Sequence, residues 1–179
     1  FQSIEYEVAQ NIEKKAFDAI GITSVIPGAL GAWRRSAVCA VGGYKTDTLV
    51  EDQDLTIAML RSRYRVAYEP RAIAYTEAPS TVRSFYKQRF RWTYGTFQCL
   101  WKHKSWLSAP QRDWRAVVFY INNSLFSTMT PTISLLAEIS MTANILTGSW
   151  ENFAIQFAVF QTIDMCYAIL GMGAWRKRV

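Results

Sequence analysis

The chain has 179 residues, half of them hydrophobic, with seven Trp, nine Tyr and ten Phe; this composition excludes disorder and leaves room for one globular domain or two unlike parts. Lys and Arg outnumber Asp and Glu by 20 to 14, and the excess is local, because residues 78–112 carry seven basic side chains and no acid. Such a block should meet something anionic. The cysteines Cys39, Cys99 and Cys166 lack disulfide-framework and metal-ligand spacing, so they read as free thiols in a reducing compartment. With Phe1 first, no signal-like segment, and "RKRV" at its end, the chain reads as a piece of a longer protein.

In chain order, Ile4, Val8 and Ile12 recur every four residues and predict a helix over 1–20 that Gly21 ends. The stretch "ITSVIPGALGAWRR" predicts a β run, a Pro-Gly turn and a second extended piece, followed by a short helix capped by Ser36 and stopped at Gly42-Gly43. The apolar pattern predicts a helix over 55–64, then short strands at "RVAYEP" and "AIAYTEA". Ser80 or Thr81 can cap a long basic helix running toward Lys104. Helices and short strands alternate, so the expected class is α/β.

Beyond Arg115 the pattern changes. Residues 116–137 carry no charge over 22 positions, long enough to cross a hydrocarbon core, and 153–175 contain only Asp164. "GSWEN" makes a turn between them, and Pro131 should kink the first run. Arg112 and Arg115 precede the pair and Arg176, Lys177 and Arg178 follow it, so the positive-inside rule predicts a hairpin with both ends cytoplasmic. A buried helical pair is the plainer alternative. Asp164 would face protein, through Asn122, Asn123 or Gln161, or else a water-filled path.

Two constellations could carry chemistry. In "VEDQDLT", Glu51, Asp52 and Asp54 precede an apolar helix, where acids can cap the helix, hold a cation in D-x-D spacing, or act as a general base. In "YKQRFRWTYG", helical spacing puts Gln88, Arg91 and Trp92 on one face with Arg89 about a quarter turn away. That surface can hold a phosphate and stack on a sugar-like ring, or it can lie on anionic headgroups.

A carboxylate pair, then a Gln-x-x-Arg-Trp face, then apolar helices resembles the processive family 2 glycosyltransferases, the membrane synthases of cellulose, hyaluronan and poly-N-acetylglucosamine type. Their "ED" corresponds to Glu51-Asp52 and their Q-x-x-R-W to Gln88, Arg91 and Trp92, while "PGALGAWRR" and "VGGY" look like the segment before "ED". The resemblance implies a division into 1–112, the C-terminal part of a Rossmann-like type-A glycosyltransferase domain with an interfacial helix, and 113–179, a transmembrane hairpin. It implies a multi-pass protein of the cell membrane with its catalytic face in the cytoplasm.

The resemblance also implies roles. Asp52 would be the base of an inverting transfer, Glu51 its orienting neighbour and Asp54 a helix-start carboxylate. Gln88, Arg89 and Arg91 would attend the leaving nucleoside diphosphate, Trp92 would form a floor under the acceptor sugar, and Gly28 and Gly31 would approach the acceptor end. The donor would be a nucleotide sugar, UDP-linked by the resemblance, and the acceptor a glycan or lipid-linked sugar, with membrane lipids around the helices and no nucleic acid. A divalent metal, Mg or Mn, would take its ligands outside this chain, leaving these residues alone inactive. The competing reading is a membrane-anchored basic module that binds anionic lipid or nucleic acid without catalysis.

Overall fold

The computed structural model describes residues 14–69, 71–108 and 113–176. It contains two compact units, one over Lys14–Asn123 and one holding the helices from Ser124 onward. In the first unit, α1 (Lys14–Ala19) is the described part of the helix expected over 1–20, whose earlier residues lie outside the described range. Gly21 ends it in the left-handed region at φ +70°. Helix α2 (Arg35–Ala40) stops before Gly42 and Gly43, both at positive φ, as expected. Its N-cap is Arg34 without a side-chain cap bond, so the assignment to Ser36 is corrected.

Helix α3 (Glu51–Arg61) begins four residues earlier than the apolar pattern implies, which places Glu51, Asp52 and Asp54 in its first turn. Seven of its eleven residues are buried, making it the central helix of the unit. Helix α4 (Val82–Lys102) begins at Thr81 through a capping box, in which the Thr81 hydroxyl accepts from Ser84 N at 3.1 Å. A 3₁₀ turn, Lys104–Trp106, and α5 (Trp114–Ser124) complete the unit. Trp106 and Phe119 meet at 5.8 Å between ring centroids, and Tyr120 Oη donates to Leu100 O at 2.9 Å, so α5 closes the core against the end of α4.

No strand occurs among the described residues, which corrects the strands expected around 22–34, 65–70 and 72–78. Local β propensity builds a ladder only beside a partner strand. Without one, Ile26 N donates to Thr56 Oγ1, Tyr68 N donates to Asp18 Oδ1, and Tyr75 is almost wholly exposed. The α/β class therefore does not appear in the described residues, which are helical.

In the second unit, a π-helical segment, Leu125–Met129, precedes α6 (Thr130–Leu146), and α7 (Trp150–Arg176) follows a turn at Gly148, φ +72°. Pro131 sits in the first turn of α6, where its missing N–H is tolerated, and the wider π turn before it absorbs the ring. Helices α6 and α7 are tied by Gln156, whose Nε2 donates to Ser140 Oγ at 2.9 Å and whose Oε1 accepts from Asn144 Nδ2 at 3.0 Å. Among the described residues no helix is long and apolar enough to cross a membrane, so the two spans expected over 113–179 are not found there. The π segment divides the first run, while Gln156, Gln161 and Asp164 interrupt the second. Asp164 is exposed, and the Asn123 side chain bonds to Gln53 and Phe119.

The first unit is held at one close approach. Val50, the buried N-cap residue of α3, lies over Gly95 of α4, where an added Cβ would come within 2.7 and 2.8 Å of the two valine methyls. Replacing a helical glycine by alanine ordinarily gains about 1 kcal/mol. Here Gly95→Ala should instead destabilise, since overpacking costs about 1–3 kcal/mol. The penalty should shrink when Val50 is already alanine, a coupling that denaturant unfolding of the four variants in the cycle measures.

Candidate functional site

The first turn of α3 sends its acids to different places. Asp52 is half-buried, and its Oδ2 accepts from Gly28 N at 2.9 Å while Oδ1 accepts from Gln53 N at 2.8 Å. Thr56 Oγ1 donates to Asp52 O at 2.7 Å and accepts from Ile26 N at 3.1 Å, so the Pro-Gly loop is stitched along the helix start. These bonds hold a carboxylate in one orientation with lone pairs to spare. Gly31 serves the loop itself: a Cβ there would lie 2.7 Å from Ile26 Cγ2. Glu51 is exposed.

Asp54 turns inward, with its side chain 4% exposed. Lys102 Nζ donates to its Oδ2 at 2.9 Å and also to Asp47 Oδ1 at 2.7 Å. His103 Nε2 lies 2.7 Å from Asp54 Oδ1, and His103 Nδ1 lies 2.8 Å from Arg61 Nη1. A guanidinium can only donate, so Nδ1 accepts and the ring proton on Nε2 points at Asp54. Burial alone would raise the Asp54 pKa, but the hydrogen bonds from His103 and Lys102 prevail and hold it below the usual carboxylate value. Asp54 stands in the first turn of α3, as a helix-start carboxylate should, and is in addition a clamp between α3 and the end of α4. Lys102, counted in the basic block, meets acids of this chain.

Helix α4 presents two faces. Positions 88, 92, 95, 99 and 103 recur at intervals of three and four; Gly95, Cys99 and His103 are buried and Gln88 and Trp92 half-buried. This stripe packs on α3, with the Cys99 thiol against Val50 O; burial, the leading cause, pushes that thiol up to about 12 and leaves it inert. Gln88 and Arg91 line an open groove of about 540 Å3 with Lys87, Ser84, Ser80 and Glu77. Arg89 lies over the rings of Phe85 at 4.9 Å and Trp92 at 5.2 Å. On the opposite side Tyr86, Phe90, Tyr94, Phe97 and Trp101 form an exposed aromatic stripe, in which Phe90 and Tyr94 stack at 5.6 Å.

The structure therefore joins Asp52 to Gly28, Gln88 to Arg91, and Arg89 to Trp92, on two helices packed at Val50 and Gly95. The residues present do not suit a divalent cation: Asp52 and Asp54 bond to different partners, and among the described residues no group of three or more His, Cys, Asp or Glu could hold a metal ion. Gly95, Gln53, Thr96 and His103 escaped the reading of the sequence, and Asn123 entered it only as a partner for Asp164, whereas its side chain bonds to Gln53. Only Gly95 carried a signal there, as a glycine inside a helical pattern.

A carboxylate-bearing helix start is thus clamped to a basic and aromatic helix. The chain belongs to glycosyl transferase family group 2, whose family model matches residues 2–173. It is similar to a poly-beta-1,6-N-acetyl-D-glucosamine synthase of Staphylococcus epidermidis, 25% identical over 167 residues that make up 93% of this chain and 40% of that protein. It is also similar to an N-acetylglucosaminyltransferase of Bradyrhizobium diazoefficiens, 28% identical over 175 residues, 93% of this chain and 35% of that protein. A poly-beta-1,6-N-acetyl-D-glucosamine synthase of Staphylococcus aureus is 32% identical over 99 residues, 55% of this chain and 24% of that protein. The chain thus spans two fifths or less of the length of these curated relatives. No solved structure matches it.

The Asp54 clamp has a pH signature. Because its folded pKa is depressed, its contribution is present above the unfolded value of about 3.9 and is lost as pH falls through the folded value. Asp54→Asn should cost about 1.5–3 kcal/mol near neutrality. The difference from the parent should narrow on acidification from about pH 7 to about pH 3, as followed by denaturant unfolding.

Proposed function

We propose that this chain is the base-carrying, acceptor-side part of an inverting glycosyltransferase that moves a sugar from a nucleotide-sugar donor to a growing glycan. N-acetylglucosamine is the proposed sugar, on the activities for which the relatives are named. The observation that carries the reading is Asp52, pinned by Gly28 N–H at the start of a helix locked to the helix of Gln88, Arg91 and Trp92.

In the proposed step the Asp52 carboxylate takes the proton of an acceptor hydroxyl as its oxygen attacks the anomeric carbon. The bond from that carbon to the nucleoside diphosphate breaks, and the electron pair leaves with the phosphate. Arg91 and Gln88 face an open groove, where a fixed charge and an amide can stabilise the departing anion. Arg89, held on aromatic rings, adds positive charge beside them. Trp92 would offer its exposed part to the acceptor sugar, and Gly28 brings backbone close to the attacking group. No step is routed through a divalent metal; if the longer protein uses Mg or Mn, its ligands belong to other residues.

Attachment to a membrane, with this site on the cytoplasmic side, is part of the proposal. The aromatic stripe of α4, with Lys104 Nζ 3.7 Å from the Trp101 ring centroid, has the composition of a helix lying in a headgroup layer. Ile133, Leu136, Ile139, Ile155 and Ile163 are more than half exposed on α6 and α7 and need an apolar cover. A division of work between 1–112 and 113–179 is also part of the proposal, although α5 packs within the first unit, which extends to Asn123.

In the longer protein Asp52→Asn should lower transfer about a hundred- to ten-thousand-fold, the usual worth of a general base, with folding retained. Product formation from UDP-N-acetylglucosamine, normalised to folded enzyme, measures it. Transfer at the parent rate would remove Asp52 from the reaction.

A further inference from the structure

Beside the proposed base stands a residue with no chemistry of its own to offer. Gln53 is 6% exposed, and its amide is bonded to two helices at once. Its Nε2 donates to Asn123 Oδ1 of α5 at 3.0 Å, and its Oε1 accepts from Thr96 Oγ1 of α4 at 2.8 Å. The direction of this chain of bonds is set at one end. Phe119 O can only accept, so Asn123 turns its Nδ2 toward it at 2.9 Å and its Oδ1 toward Gln53. Gln53 must then present Nε2 to Asn123 and Oε1 to Thr96, and Thr96 must donate.

We infer that Gln53 is a positioning residue for Asp52, holding the first turn of α3 in register against α4 through Thr96 and against α5 through Asn123. The inference rests on the glycosyltransferase reading of Asp52. Three features favour positioning over mere filling of space. Gln53 is adjacent in sequence to Asp52 and its N–H donates to the Asp52 carboxylate, so a rotation of this turn moves the base directly. Thr96 lies one turn beyond Trp92 on the same helix, which links the base to the residues proposed to attend the leaving group. The fixed polarity means that an isosteric glutamate carboxylate cannot substitute, because it would set an acceptor oxygen against the Asn123 oxygen.

The test uses the full-length protein, with kcat and KM for transfer from UDP-N-acetylglucosamine expressed per folded enzyme, and hydrogen exchange of amides 54–57 as a second measurement. Gln53→Glu and Thr96→Val should lower kcat about ten- to a hundred-fold, the scale of a small misplacement of a catalytic group, while donor KM stays within about twofold. Exchange of amides 54–57 should quicken in both, and Thr96→Ser, which keeps the donor, should restore both readouts. Parent-like kcat and parent-like exchange in folded Gln53→Glu would overturn the inference. If the parent protein transfers no sugar, the glycosyltransferase reading fails instead, and the exchange rates alone decide whether Gln53 holds the turn.

Discussion

The first unit depends on a valine resting where a side chain is missing. Val50 occupies the gap over Gly95, and that approach lets α3 and α4 pack with backbones close enough for every other tie between them. Leu49 N donates to Gln98 Oε1, Thr96 to Gln53, and Lys102 to Asp54, all within a few residues of the contact. A larger residue at either position would separate the helices and lengthen these bonds together. Close packing makes such an interface discrete rather than compressible.

Once the helices are set, the three acids of "VEDQDLT" acquire separate roles. Residues two apart on a helix point about 200° apart. With the helix starting at Glu51, Asp52 and Asp54 therefore cannot share a ligand, whatever their spacing in the sequence suggests. Asp52 meets the backbone of a glycine loop and keeps some exposure, whereas Asp54 is buried against Lys102 and His103. The inner acid, held below the usual carboxylate value by His103 and Lys102, ties two helices together, and the outer one stays half-exposed.

Helix α4 integrates the rest. Its inner stripe is spent on packing, its groove side carries Gln88 and Arg91, and its outer stripe is aromatic. A single 21-residue helix thus joins a core, an open groove lined by Gln88 and Arg91, and an exposed aromatic surface. The basic excess of this region is correspondingly divided, with Lys102 turned inward to Asp47 and Asp54 and Arg83, Lys87 and Arg91 left exposed.

Much of this was legible from residue order. Thr81 and Gly21 mark helix ends because capping and left-handed turns are local, and they lie where read. The family was legible from Glu51-Asp52 and Gln88-x-x-Arg91-Trp92, because motif spacing survives without any knowledge of packing. The expected strands and spans do not appear among the described residues, since a strand exists only beside a partner and a span needs a helix both long and apolar enough. The order of residues told Asp54 from Asp52 only through the family resemblance, and it could not predict that Gln53 would meet Thr96 and Asn123, positions 43 and 70 residues away. Those partners are brought together by tertiary contact alone. Capping and periodicity act within a few residues, whereas burial and hydrogen-bond satisfaction are properties of the assembled core, and these decided which carboxylate clamps the helices and which stays half-exposed beside the glycine loop.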